Sequence, residues 1–104
     1  MKETPAELRR LRRRIDEIDR RVLRALADRF KVVTKIGQLK AKHGLETYQA
    51  SRWEEVLAAR VAQAKKLGLD DAFIKGFFHL IHEEALSVQR SGKKPKVAAT
   101  RRAS

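Results

Sequence analysis

The sequence predicts an all-α fold: three helices, the first very long, with two copies of the chain paired as a homodimer. Three observations point there. Apolar residues recur at steps of three and four from Leu8 to Val88, the signature of helical faces. Gly44 and Gly68 each follow a basic stretch, as helix C-termini do, and divide the pattern into three. No segment shows the period-two alternation of a strand, and there is no internal repeat.

The first helix opens at Thr4-Pro5-Ala6-Glu7. Thr4 is placed to cap, Pro5 suits the first helical position, and Glu7 completes a capping box. Leu8, Leu11, Ile15, Ile18, Val22, Leu26, Val33 and Ile36 then share one face, and Lys40, Lys42 and His43 ahead of Gly44 suit a C-terminal end. A helix of about 38 residues spans about 57 Å, whereas a compact domain of this size has a radius of gyration near ~13 Å. The remaining residues are too few to cover such a stripe, and a second copy pairing along it is the economical cover. A kink or break near Gly37 is the alternative.

The second helix is expected from Ser51-Arg52-Trp53-Glu54, another capping box, to Lys65-Lys66 before Gly68, with Trp53, Val56, Leu57 and Val61 facing inward. Asp70 is placed to cap the third, whose stripe is Ile74, Phe77, Phe78, Ile81, Ala85 and Val88. Residues 1–90 thus form one helical domain. Residues 91–104 have Pro95, five basic residues and no acid, and their composition predicts a disordered tail.

The formal charge of +12 indicates anionic partners or a well-solvated surface, and the chain stays basic without the tail. There is no cysteine, which excludes disulfides and thiolate metal sites. The N-terminal residues lack the apolar core of a signal peptide and no apolar run is long enough to span a membrane, so the expected compartment is the cytoplasm.

Two cations interrupt the long apolar stripe. Arg29 and Lys40 are eleven residues apart, which puts them about 20° apart around the axis and about 16 Å apart along it. A cation in an apolar row is costly without an anion. Either Arg29 pairs with an internal acid, or both stems snorkel to water, or the two hold an anionic ligand. Arg12 is seventeen residues before Arg29, about 25 Å along the same axis, too far for one small ligand. In an antiparallel pair of helices, Arg12 of one copy can approach Arg29 and Lys40 of the other. On the third helix, Phe78, His82, Ala85 and Gln89 form a row that ends in an uncharged amide.

The order Leu11-Arg12, Ile15, Ile18-Asp19, Leu26, Arg29, Ile36-Gly37, Lys40, Arg52, Ile81-His82-Glu83-Glu84 and Gln89 resembles the all-helical chorismate mutase family, over roughly Leu8 to Arg90. The resemblance implies three helices per chain and an intertwined homodimer with two shared active sites. It implies an isomerase of aromatic amino-acid (Phe/Tyr) biosynthesis in the shikimate pathway, converting chorismate to prephenate by a Claisen rearrangement with no metal and no cofactor. By the same resemblance Lys40, Gln89 and Arg29 are catalytic. The substrate-binding set is Arg12 from the partner chain, Arg29, Lys40, Gln49, Arg52, Ala85 and Gln89. The arginines would grip the two carboxylates bidentately, and Lys40 and Gln89 would donate to the ether oxygen.

Three positions depart from the family pattern. Trp53 stands where many members have a glutamate that holds the substrate's ring hydroxyl, Gln49 where the pattern has an aspartate, and Ala85 where it has a serine. Gln49 or loop backbone would then supply the hydroxyl contact, or the substrate differs. Isochorismate pyruvate-lyases, which form salicylate, resemble this family and share the cationic frame. The non-enzyme rivals are a basic helical nucleic-acid-binding module and a regulatory dimer acting on a partner enzyme. Against nucleic acid, no short turn sets up a recognition helix, and Arg29 and Lys40 lie on the apolar stripe. The sequence is silent on an activating partner enzyme.

Overall fold

The computed structural model describes residues 5–91. They form three helices: α1 Ala6–Lys42, α2 Ala50–Lys66 and α3 Asp71–Ser91. Thr4 and the tail beyond Ser91 lie outside the described residues.

α1 has 37 residues and runs unbroken through Gly37. Pro5 is its N-cap and Ala6 the first helical residue, so the proline sits one position earlier than expected. The helix stops where Gly44 turns left-handed, at φ 66°. There the Leu45 N–H reaches the Lys40 carbonyl at 2.8 Å and the Gly44 N–H reaches that of Ala41 at 3.3 Å, a Schellman cap that satisfies two orphan carbonyls. Gly68, at φ 77°, ends α2 in the same way.

The expected capping box of α2 does not form. The helix begins two residues earlier, at Ala50, with Gln49 as an N-cap that makes no side-chain cap bond and Ser51 already inside the first turn. Packing sets this start: Trp53 lies in that turn, against His79 and His82 of α3. Two such ring contacts rival a cap worth ~1 kcal/mol. Asp70 does cap α3, its Oδ2 accepting from the Phe73 N–H at 2.9 Å.

α3 is the element on which both others pack. Its face toward α1 contributes Ala85 and Val88, which cluster with Val33 and the half-buried Phe30. Along α2 and α3, Val56, Ala64, Ile74 and Ile81 are buried. The first half of α1 has no such cover: Leu8, Leu11, Ile15, Ile18 and Val22 are all exposed, Ile15 to 56%. The molecule accordingly measures 63 × 30 × 26 Å, far from a sphere. Among the described residues no helix is long and apolar enough to cross a membrane.

Candidate functional site

A cleft of about 370 Å³ opens where the C-terminal half of α1, the loop 43–49, the start of α2 and the end of α3 meet. Arg29, Lys40, Gln49, Arg52, Ala85 and Gln89 all line it. Residues from three helices, up to sixty positions apart in sequence, are thus brought to one concavity. Arg12 is not among them. It is exposed on the N-terminal half of α1, outside this cleft.

The centre of the cleft is Lys40. Its Nζ donates to the Thr47 carbonyl at 2.7 Å and to Gln89 Oε1 at 2.8 Å. These bonds tie α1 to the loop and to α3. An ammonium has three N–H groups, so one remains. Accepting from Lys40 also fixes the Gln89 amide, because its oxygen is occupied and its NH₂ is the group left to donate. Burial lowers the Lys40 pKa from its ordinary value. The two partners are neutral oxygens and leave the positive charge uncancelled.

Arg29 sits in the same half-buried wall. Burial lowers its pKa first, then the positive fields of Arg60 and Arg52. A guanidinium stays protonated despite such shifts, so the cost remains as positive potential in the cleft. Among the described residues no acid forms an ion pair with Arg29. Arg52 does have a partner, Glu55, one turn further along α2. Both side chains are more than half exposed, and such pairs contribute only ~0–1 kcal/mol. An incoming carboxylate can therefore recruit Arg52 at little cost.

The remaining wall is aromatic. Trp53 stacks on His82 with ring centroids 3.9 Å apart and planes 11° apart, and meets His79 edge-on at 5.1 Å. Tyr48 lies 5.8 Å from the His82 ring. Gln49 is exposed at the mouth, its Nε2 donating to the Glu46 carbonyl at 3.4 Å. Ala85 is buried and offers only a methyl group.

His82 and Thr47 line the cleft as well and were not singled out as site residues from the sequence. His82 carried a signal. It lies seven residues before Gln89, and that spacing returns to the same helical face within about 20°. Thr47 acts through its backbone carbonyl, which no side-chain pattern reveals.

The arrangement suits a small organic dianion. It offers fixed cations for carboxylates, two oriented donors at its centre and an apolar and aromatic wall. Among the described residues no group of three or more His, Asp or Glu side chains could hold a metal ion.

Comparison with known proteins gives a consistent answer. The family model for chorismate mutase type II matches residues 11–90. The chain is 34% identical over 80 residues to the T-protein of Enterobacter agglomerans, covering 77% of this chain and 21% of that protein. It is 35% identical over 68 residues to the T-protein of Haemophilus influenzae, covering 65% and 18%. It is 30% identical over 76 residues to the bifunctional chorismate mutase/prephenate dehydratase of Buchnera aphidicola, covering 73% and 20%. The chain spans about a fifth of the length of the curated relatives it matches.

Proposed function

This chain belongs to the chorismate mutase type II family, and on that premise we propose that it catalyses the Claisen rearrangement of chorismate to prephenate, in aromatic amino-acid biosynthesis. One C–O bond of the substrate's enol ether breaks while a C–C bond forms. The reaction is unimolecular and transfers no proton. Catalysis then reduces to holding the reactive conformer and stabilising negative charge as it grows on the ether oxygen.

The observation that carries this reading is the Lys40–Gln89 bond at 2.8 Å. It leaves one Lys40 N–H and the Gln89 NH₂ as preorganised donors side by side, and a single donor of this kind contributes on the order of 10²–10³ in turnover. Arg29 and Arg52 are the carboxylate ligands, and the dianion offsets both the burial of the Arg29 charge, the main cause of its lowered pKa, and the repulsion from Arg60 and Arg52. Gln49 borders the substrate at the mouth and Ala85 supplies van der Waals contact.

The exposed apolar stripe of α1 supports a homodimer. Arg12 lies about 25 Å from Arg29 on the same helix, so it would complete the site of the partner chain, not its own. An assay of chorismate consumption with product identification tests the activity. Prephenate as the product supports it; salicylate from isochorismate as the dominant activity replaces it with the lyase reaction.

A further inference from the structure

We propose that His82, held flat against Trp53, is the hydrogen-bond acceptor for the ring hydroxyl of the substrate and selects for its presence. The inference rests on the mutase activity proposed above and adds a residue to it.

The substrate carries two carboxylates, an ether oxygen and one hydroxyl. The cleft's cations and its two central donors match the first three groups. All of them donate, whereas a hydroxyl placed between them also needs an acceptor for its own proton. Two acceptors of the cleft already take a bond from Lys40: Gln89 Oε1 and the Thr47 carbonyl. Neither Trp53 nor Ala85 can accept. Gln49 is exposed at the mouth, where its Nε2 donates to the Glu46 carbonyl and water reaches its amide oxygen. His82 is half-buried, lines the cleft, and presents a ring whose plane is fixed by Trp53 at 3.9 Å and 11°. A neutral imidazole has one nitrogen that accepts.

The surroundings favour the neutral ring. Burial is the largest influence, and His79 on α3 with Arg29 and Lys40 on α1 push the same way, against Glu83 alone. From α2 the ring meets Trp53, with the Arg52 guanidinium also on the cleft wall. Protonation would remove the acceptor and add a further positive charge. The lowered pKa leaves the accepting form populated above it, and the contact is lost as the pH falls through that value.

The test compares chorismate with the same dicarboxylate enol ether lacking the ring hydroxyl, on wild type, His82→Phe and His82→Gln. Phenylalanine keeps the stack and removes both nitrogens; glutamine restores an acceptor that does not titrate. His82→Phe should lose about tenfold or more in kcat/KM on chorismate, the value of one hydrogen bond to a buried partner, and be near wild type on the hydroxyl-free substrate. Wild-type kcat/KM on chorismate should fall at a pH below the ordinary histidine range, and His82→Gln should retain part of the activity without that acid limb. Equal losses on both substrates, or an acid limb that persists in His82→Gln, would overturn the proposal. So would a chorismate-specific loss in Gln49→Ala with none in His82→Phe. Wild type that consumes no chorismate at any pH overturns the mutase reading itself, and is thereby told apart from a failure of the histidine.

Discussion

Gly37 of α1 lies directly under Gln89 of α3: a Cβ built on the glycine would stand 3.0 Å from the Gln89 Cα and 3.0 Å from its Cγ. The absence of a side chain is what lets the two helices approach there, one turn before Lys40. The close approach brings the amide oxygen within 2.8 Å of the ammonium.

Gly37→Ala therefore separates a structural effect from a chemical one. Alanine gains about 1 kcal/mol in helix propensity, but the neighbouring backbone must give way by a few tenths of an ångström, an overpacking cost of ~1–3 kcal/mol. The melting temperature should fall modestly with far-UV circular dichroism unchanged. Turnover on chorismate should fall about tenfold or more, because the Lys40–Gln89 geometry is displaced. Full activity with an unchanged melting temperature would show that α3 accommodates the methyl group freely.

In the proposed mechanism Lys40 must be charged to stabilise a growing anion. Burial lowers its pKa from the ordinary lysine value, so as pH rises this ammonium loses its proton earlier than an exposed lysine does. The pH profile of kcat/KM should show an alkaline limb below that ordinary value. Lys40→Arg should abolish the limb, whatever its absolute rate, and Lys40→Ala should lower turnover on the order of a hundredfold or more. Near-normal turnover in Lys40→Ala would remove the residue from the site.

The proposed sharing of the site between two chains has a genetic-style test. Arg12→Ala and Arg29→Ala proteins should each be nearly inactive. Unfolded and refolded together, they should recover part of the wild-type activity, since one site of each mixed dimer receives both arginines. Mixed dimers verified by mass spectrometry that remain dead would exclude sharing.

Glu55 pairs with Arg52, and in the proposed site a substrate carboxylate would compete with it for that guanidinium. Glu55→Gln should lower KM by up to about fivefold with kcat nearly unchanged, as expected for loss of an exposed pair worth at most ~1 kcal/mol. A raised KM would instead mean that Glu55 holds Arg52 in the binding orientation.

The helices were legible because their signals are local and redundant. The stripe of α3 and the inner face of α2 can be read from periodicity, and Gly44, Gly68 and Asp70 act where their chemistry places them. The start of α2 was not legible: Ser51 has the right sequence for a cap, but the contact of Trp53 with two histidines of α3 lies beyond any local pattern. The cleft divides along the same line. Arg29 and Lys40 announced themselves as charges in an apolar row, and family resemblance supplied Arg52 and Gln89. The carbonyl of Thr47, the ring of His82 and the engagement of Arg52 with Glu55 depend on how α3 and the loop meet α1, which no spacing on one helix encodes.

Trp53 is the chain's single tryptophan, and it lies in the cleft wall, face to face with His82. The protein therefore carries its own optical probe. Indole emission from this chain arises wholly from the site, undiluted by other tryptophans, and a protonated imidazole at van der Waals distance quenches it. One fluorimeter cuvette can follow both the titration of His82 and the filling of the cleft, with no label attached and no substrate turned over.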